Sequence, residues 1–310
     1  MKPTGEWFRQ IARPGVFLAR EALYRVRFKL GHFRLKKKYG SRVCFATEVA
    51  PARDERQIFE GLQAELKKSA VARLQFCAVS LSKNRMDGQE YWEAHKGLYS
   101  DIGSGREKAL EHALTFKLFD FKKVVRYCDV AAAKSPIEKA VHKDWPQVEF
   151  WKQDCLFETN LEKKIVGGFA QKMEKIPDGF FDLLTLHCAF EHFFGNADRE
   201  LMKEVDRVLS DQGACLIAPL YMDLTAKIFL DPVVTPMKAV ENYDLEASLC
   251  STFNYRQDHG RYYSPSSLIE RVIKELPDSL NPTWIQFSDQ EKVGEGIYLR
   301  FALVLHRKNR

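Results

Sequence analysis

The sequence predicts an α/β fold built on a doubly wound, mostly parallel sheet. From about residue 94, short apolar runs alternate with longer helical patterns, a rhythm typical of parallel βαβ units with right-handed crossovers. The chain ends in two strand-like runs, 283–287 and 297–306, whose polar connection has no helical period, so an antiparallel hairpin is expected. Ser264 followed by Pro265 predicts the start of a helix before that hairpin.

The alternating region supplies the individual elements. Strands are predicted at 97–102, 124–130, 148–151, 181–186 and 214–220, and helices near 107–118, 135–142 and 198–209. In such a sheet, ligands bind beyond the carboxyl ends of the strands, where the strand order reverses. Candidate functional residues are therefore sought where strands end.

A second region precedes this domain. A helix near 52–70 and an apolar run at 74–81 lead to the polar stretch 82–88, which predicts a boundary. We expect a basic N-terminal region over 1–90 and a main domain over 91–310, with an insertion at about 221–263 after the fifth strand. The tyrosines and phenylalanine of this insertion are expected either to line an acceptor pocket or to pack in the core.

The composition is that of a globular protein, with 45% hydrophobic and 29% charged residues. No run approaches the roughly 20 apolar residues of a membrane span, and the first residues do not have the pattern of a secretion leader. The seven cysteines are an odd number without a Cys-x-x-Cys pair, which favours buried thiols in a reducing compartment. We therefore expect a cytoplasmic protein without a bound metal.

The net charge of +6 is concentrated at the N-terminus. Residues 1–42 contain twelve Lys or Arg and two acidic residues, giving +10, whereas the other 268 residues contain 36 and 40, giving −4. Cations interleaved with apolar residues, as in 24–30, are typical of segments that contact anionic membranes or nucleic acid. Residues 1–42 are thus expected to contact RNA or an anionic membrane surface at the inner face of the membrane, or to form an ordinary solvated cationic face.

A glycine turn ends the first predicted strand of the main domain. Asp101, Gly103 and Gly105 precede a predicted helix, and the glycines permit a tight turn in which backbone N–H groups approach a ligand closely. Lys108 stands where a dinucleotide fingerprint has its third glycine, and Gly-x-x-x-x-Gly-Lys-Ser/Thr is absent. The turn therefore indicates neither a dinucleotide nor a nucleoside triphosphate.

Acidic residues also end the next two predicted strands. Asp129 is placed to accept two hydrogen bonds from a ribose diol. Asp154 is placed to accept the exocyclic amine of an adenine, with the backbone of Cys155 at the ring edge. Either acid alone is more typical of a strand-end cap, but acids at three successive strand ends favour a nucleoside-bearing cofactor.

With these features the chain resembles the class I S-adenosylmethionine-dependent methyltransferases over roughly residues 94–306. The resemblance rests on Asp101-Ile102-Gly103-Ser104-Gly105, Asp129, Asp154, the segments 181–193 and 204–213, and the final hairpin. It implies a Rossmann-like, seven-stranded sheet with a basic N-terminal extension, and S-adenosylmethionine as the cofactor. Glu107 departs from the pattern, because members of the family often have a third glycine there.

The resemblance also implies a cofactor site. The residues expected to bind the cofactor are Asp101, Gly103, Ser104, Gly105, Asp129, Val130, Asp154, Cys155 and His187. Within this set, Asp101 and the two glycines would hold the methionine end, Asp129 the ribose, and Asp154 with Cys155 the adenine.

Methyl transfer to a hydroxyl needs an acceptor held in line and a base that removes its proton. The candidates for a base or a substrate contact are His187, Glu191, His192 and His259. Glu191 and His192 are equally compatible with a structural turn after the fourth strand.

The expected acceptor is a hydroxyl of a small molecule or a glycan. The fourth strand lacks the Asn/Asp-Pro-Pro-aromatic pattern of nucleobase amino methylation, and no Pro-Cys nucleophile suggests cytosine chemistry. The turn at 191–193 and the segment 259–265 resemble methyltransferases of bacterial surface-polysaccharide and sugar-modifying pathways. Two alternatives stay open, a noncatalytic binding module of the same fold and an RNA methyltransferase, each using the basic N-terminal residues.

Overall fold

The chain folds as two units. The smaller comprises residues 1–50 and 227–260, and the larger comprises 51–226 and 261–310. The structure, a computed structural model, describes residues 14–47, 49, 55–69, 73–82, 85–100, 105–253, 255, 257–289 and 297–308. The division does not coincide with the predicted boundary near residue 90, because residues 51–90 contribute helices and a strand to the larger unit.

Helices α1 to α7 lie within these residues. They are α1 (Pro14–Tyr39), α2 (Glu55–Ser69), α3 (Arg85–Tyr99), α4 (Gly105–Leu118), α5 (Ile137–Asp144), α6 (Ala197–Val208) and α7 (Pro265–Leu268). Ser264 caps α7 as predicted, accepting a hydrogen bond from the backbone N–H of Ser267. A π-helical turn, Ile269–Ile273, continues α7. Among the helices described, none is long and apolar enough to cross a membrane.

Strands β1 to β12 also lie within the described residues. They are β1 (Val43–Ala46), β2 (Gln75–Ser80), β3 (Arg126–Val130), β4 (Glu149–Asp154), β5 (Ile165–Gly167), β6 (Phe181–His187), β7 (Leu209–Ala218), β8 (Lys227–Leu230), β9 (Ser248–Thr252), β10 (Gly260–Tyr262), β11 (Leu280–Ser288) and β12 (Phe301–Arg307).

The larger unit contains an eight-stranded sheet in the order β2-β11-β12-β7-β6-β3-β4-β5. Strands β3 to β7 pair in parallel, whereas β12 is antiparallel to both β7 and β11. The predicted doubly wound, mostly parallel sheet and its final antiparallel hairpin are therefore confirmed. The predicted count of seven strands is exceeded by β2, which adds in parallel to the edge strand β11.

One predicted strand is wrong. Residues 97–99 of the strand predicted at 97–102 form the last turn of α3. Tyr91, His95 and Tyr99 recur at every fourth residue, so they share one face of a helix, and the rings of Tyr91 and His95 stack 4.3 Å apart. The short strand β5, which the sequence analysis did not predict, takes the missing place in the sheet.

Both faces of the sheet are covered, which explains why its central strands β6 and β7 carry apolar residues on both faces. Alternate residues of β6 and β7, Leu184 and Ile217 among them, pack in one core with α2, α6 and α7. The residues between them point to the opposite face of the sheet, where Leu216 packs with Leu110 and Leu114 of α4. The two helix layers hold the strand ends in fixed positions, as a binding site requires.

The smaller unit joins the N-terminal helix to most of the predicted insertion. Strands β1, β9 and β8 pair in parallel in that order. On α1, the ring of Phe28 packs edge-on against Phe45 and Phe253, at 6.0 and 5.3 Å between centroids. Tyr24 donates a hydrogen bond to the carboxylate of Asp231. Residues far apart in sequence therefore form a common core in this unit.

Candidate active site

The strand order of the larger sheet reverses between β3 and β6. Strands β4 and β5 extend the sheet on one side of β3, and β6 and β7 extend it on the other. A ligand of a doubly wound sheet binds in the crevice beyond the carboxyl ends of the two strands at this point. The residues that end them are Asp129 and Val130 on β3 and His187 on β6. Three residues of the predicted site therefore meet at the expected place.

Asp129 has an unsatisfied oxygen at this crevice. Its Oδ1 accepts hydrogen bonds from Thr185 Oγ1 at 3.0 Å and His187 Nδ1 at 3.2 Å. Its Oδ2 is buried and has no hydrogen-bond partner among the described residues. Because a buried carboxylate oxygen without a donor is costly, Asp129 fits a ligand that brings a hydroxyl or ammonium donor to this point.

The loop after β3 has a strained backbone, and hydrogen bonds to the neighbouring strand β4 hold it in place. Ala131 and Ala133 have φ values of 54° and 42°, a region that costs a non-glycine residue about 1–3 kcal/mol. The N–H of Ala131 donates to Gln153 Oε1 at 3.2 Å, and the N–H of Ala132 donates to the Gln153 carbonyl at 2.9 Å. The alanines thus take the place that glycines fill in many phosphate and nucleotide loops, and β4 enforces their conformation.

Asp154 ends the strand next to β3. Its Oδ2 accepts the N–H of Ala133 at 2.8 Å, and its Oδ1 accepts the N–H of Leu156 at 2.9 Å. The residue is 5% exposed, and each oxygen retains a second lone pair for a ligand. Because residues 97–99 of the strand predicted at 97–102 are helical, β3 is the first described strand of the doubly wound part of the sheet and β4 is the second. The sequence predicted that Asp129 ends the second strand, but the acid in that position is Asp154.

His187 is held at both ring nitrogens. Its Nε2 lies 2.9 Å from Thr115 Oγ1, and its Nδ1 contacts Asp129. The ring of His112 lies edge-on 4.7 Å away, and burial together with the neighbouring His187 lowers the pKa of His112 well below its usual range. His187 therefore orients Asp129 within a buried network between α4 and the sheet.

A group of ionisable side chains lies beside this network, at the first turns of α4 and just beyond β6 and β7. We call it the carboxylate cluster, and its members are Glu107, Lys108, Glu111, Cys188, Glu191 and Tyr221. Lys108 Nζ lies 2.9 Å from Glu111 Oε2, and the thiol of Cys188 donates to Glu111 Oε1 at 3.1 Å. Tyr221 donates to the Cys188 sulfur at 3.9 Å, and its ring stacks on Tyr262 at 5.0 Å.

The cluster holds three carboxylates against one lysine, so protons are retained within it. Burial and the charge of Glu111 raise the pKa of Glu107 to about 8, although the Tyr298 N–H donates to Glu107 at 2.8 Å. Burial also raises the pKa of Glu191, whose Oε2 has no partner among the described residues. Burial by itself would lower the pKa of Lys108. The neighbouring Glu111 carboxylate outweighs this effect, so the pKa of Lys108 is raised and the lysine stays protonated. The cluster therefore contains a buried carboxyl group, that of Glu107, whose pKa is raised to about 8.

The remaining predicted residues lie in different places. Asp101, Gly103 and Ser104 are outside the described residues. Gly105 begins α4, where a Cβ would lie 2.5 Å from the carbonyl oxygen of Tyr99, so close packing requires glycine there. Cys155 is exposed after β4.

Two of the candidate histidines, His192 and His259, also lie in different places. His192 Nε2 lies 3.6 Å from Glu191 Oε1 in the 3₁₀ turn Phe190–His192. His259 belongs to the smaller unit, where it is buried against Tyr243, with ring centroids 5.5 Å apart. Within the described residues, no three or more His, Cys, Asp or Glu side chains are grouped to hold a metal ion.

Sequence reasoning missed Glu107, Lys108, Glu111 and Tyr221. The available signal was the pair Glu107 and Glu111, two acids one helical turn apart in a helix whose other residues include Leu110 and Leu114. Like charges at this spacing destabilise an isolated helix, so their presence on a buried face indicates a role beyond helix formation. The Ala131–Ala133 loop was missed because alanine does not signal a left-handed turn.

The sequence profile of one protein family matches part of this chain. Residues 101–217 match the sequence profile of a family described as "Methyltransferase domain". A search of curated proteins finds no relative of this chain.

Several solved structures are similar at low identity. A Burkholderia thailandensis 1,6-didemethyltoxoflavin-N1-methyltransferase, solved with its acceptor and S-adenosylhomocysteine, is 12% identical, with 86% of this chain and 94% of that chain covered and a TM-score of 0.42. An S-adenosylmethionine-dependent methyltransferase of Archaeoglobus fulgidus is also 12% identical, covering 70% and 100%, with a TM-score of 0.40. The YcgJ protein of Bacillus subtilis is 19% identical, covering 64% and 98%, with a TM-score of 0.39. At this distance, no residue role transfers from them.

Proposed function

We propose that this chain uses S-adenosylmethionine to methylate a hydroxyl of a small-molecule or glycan acceptor, because residues 101–217 match the sequence profile of a methyltransferase domain. The observation that carries the proposal is the carboxylate cluster at the carboxyl end of β6. A hydroxyl must lose a proton during methyl transfer, and the deprotonated carboxylate of Glu107, with its pKa raised to about 8, is a strong enough base to take it.

The residues at the strand reversal suit the cofactor. Asp154 offers a carboxylate at the end of the second strand, where it can accept hydrogen bonds from both hydroxyls of a ribose. The unsatisfied Oδ2 of Asp129 would accept a donor from the same molecule, and His187 keeps that carboxylate in position. When bound, S-adenosylmethionine supplies a methyl group that its sulfonium has already activated. Val130 and Cys155, which follow Asp129 and Asp154 in the chain, remain in the proposed cofactor site. The roles of Asp101, Gly103 and Ser104 stay predictions from the sequence, since these residues lie outside the described part of the chain.

Glu107 is the proposed base. It lies in the first turn of α4 and is charged only above a pKa of about 8, because burial and Glu111 disfavour its ionised form. Lys108 stays protonated and offsets one negative charge of the cluster. Glu191, a candidate from the sequence, is the second carboxylate, and its charge contributes to the raised pKa of Glu107. The partly exposed ring of Tyr221 stacks on the buried ring of Tyr262 and gives the cluster an aromatic side, against which the apolar face of a sugar would pack.

The experiment supplies the purified chain with methyl-labelled S-adenosylmethionine and pairs of acceptors that differ only in carrying a hydroxyl or an amine. Sugars and phenols provide the hydroxyl series. We expect label in hydroxyl acceptors, with the O-methyl product identified by mass spectrometry and NMR. Label confined to the amines would contradict the proposal.

Two variants test the residue assignment. Glu107→Gln is expected to lower kcat by about 100-fold, the lower range for loss of a general base, while cofactor affinity stays unchanged. Glu158→Gln removes an exposed carboxylate of the same unit and serves as the matched control. Equal activity of the two variants would exclude Glu107 as the base.

A further inference from the structure

Helix α1 has a buried apolar face that anchors it to the smaller unit. Phe28 and Leu35 are 5% and 1% exposed. Gly31 lies so close to Pro232 that a Cβ would come within 2.7 Å of the proline side chain. The helix is therefore a fixed part of its unit, and its orientation is set by this face.

A second apolar face of α1 is turned to solvent. It consists of Leu23, Val26, Leu30 and Phe33, which are 51%, 54%, 52% and 66% exposed. Their spacing of three, four and three residues places them in one stripe along the helix. At about 100° per residue, this stripe lies roughly opposite Phe28 and Leu35. Four large apolar side chains in a row on a surface indicate a binding face.

Cations border the stripe on both sides. Arg20, Arg27, Arg34 and Lys38 follow one border, and Arg25, Lys29 and Lys36 follow the other. The helix, Pro14–Tyr39, contains eight Lys or Arg residues and a single acid, Glu21. An apolar stripe between two rows of cations is the pattern of a helix that lies in the interface of an anionic membrane.

We propose that the outer face of α1 docks this protein on an anionic lipid bilayer. The stripe would enter the boundary between headgroups and acyl chains, and the bordering cations would contact lipid phosphates, with their aliphatic stems along the apolar region. Charge complementarity selects this occupant over a second copy of the chain, because two such helices would bring their cations together. Aliphatic side chains also offer no stacking surface for bases, which disfavours RNA. This inference does not depend on the proposed acceptor.

The test is co-flotation of the full chain with vesicles. One set contains phosphatidylcholine alone, and the other contains phosphatidylcholine with phosphatidylglycerol. We expect binding to the anionic vesicles, weakened by salt. The double variant Leu30→Ser and Phe33→Ser should lower the affinity about tenfold or more, since both the stripe and the charges contribute. Arg27→Gln and Arg34→Gln should each lower it about fivefold, the equivalent of about 1 kcal/mol per cation.

The matched control is the double variant Val234→Ser and Leu245→Ser. These residues are 47% and 77% exposed in the same unit but lie outside α1, so this variant should bind as the unmodified chain does. Circular dichroism and thermal unfolding verify that each variant is folded.

Three results would overturn the proposal. One is equal flotation with neutral and anionic vesicles, or with neither. Another is flotation that salt abolishes but that the stripe variant does not change, since charge alone would then explain it. The third is a concentration-dependent dimer that the stripe variant dissociates, in the absence of vesicle binding.

Discussion

The backbone N–H of Ala133 donates a 2.8 Å hydrogen bond to Oδ2 of Asp154. This bond joins the loop after β3 to the end of β4, the two strands that would flank a bound nucleoside. In the proposed function, the carboxylate that shapes the strained loop also contacts the cofactor.

Replacing Asp154 should weaken cofactor binding. Asp154→Asn removes the charge that strengthens hydrogen bonds to a ribose, and a loss of about 1.5–3 kcal/mol corresponds to roughly 10- to 150-fold in Kd. Calorimetric titration with S-adenosylmethionine measures it, and Glu158→Gln serves as the control. If Asp129→Asn weakened binding and Asp154→Asn did not, the ribose contact would have to be assigned to Asp129.

The rate of methyl transfer should rise with pH. A base must be unprotonated, and the pKa of Glu107 is raised to about 8, so kcat is expected to increase up to about pH 8 and then level off. Glu191→Gln removes a like charge, which should lower the pKa of Glu107 and move the rise to lower pH. A profile unchanged in Glu107→Gln would refute the assignment.

The same residue makes stability depend on pH. Because the folded pKa of Glu107 is raised, its contribution to stability is present below its unfolded pKa of 4.5 and is lost as pH rises through about 8. Glu107→Gln does not titrate, so its Tm should fall less between pH 5 and pH 9, as checked by thermal unfolding in matched buffers. A parallel fall in both proteins would contradict the raised pKa.

The loop after β3 should tolerate glycine at one alanine and not at the next. Ala131 has φ of 54°, so Ala131→Gly is expected to raise the free energy of unfolding by about 0.5–1 kcal/mol as strain is relieved. Ala132 lies outside the positive-φ region and is 7% exposed, so Ala132→Gly should lower stability by about 1 kcal/mol. Denaturant unfolding compares them, and equal effects would mean that Ala131 is not strained.

Two glycines of neighbouring helices provide a further matched pair. Gly105→Ala should lower the free energy of unfolding by about 1–3 kcal/mol, since the new methyl group would meet the Tyr99 carbonyl. No atom of the described residues lies within 4 Å of a Cβ at Gly97, so Gly97→Ala in α3 should raise the free energy of unfolding by about 0.5–1 kcal/mol. Denaturant unfolding of both variants tests the close contact, which a harmless Gly105→Ala would disprove.

Local patterns in the sequence determined the elements of this fold. Alternating apolar runs and helical periods predicted β3, β4, β6 and β7, and the last two strand-like runs predicted the hairpin β11–β12. The same patterns marked Asp129 and Asp154 as acids at strand ends. These features depend on neighbours in the chain, which is why they can be predicted from it.

Only the tertiary structure decided which strand is first and which charges are buried. The segment 97–102 suits a strand or a helix by its own pattern, and the contact of Tyr91 with His95 shows the helix that packing selected. Moving the first strand to β3 shifted Asp154 to the second strand. Glu107 and Glu111 resemble ordinary helix-surface acids until α4 packs on the sheet and removes them from water. Strand order and burial arise from contacts between residues far apart in sequence, so they cannot be predicted from a local pattern.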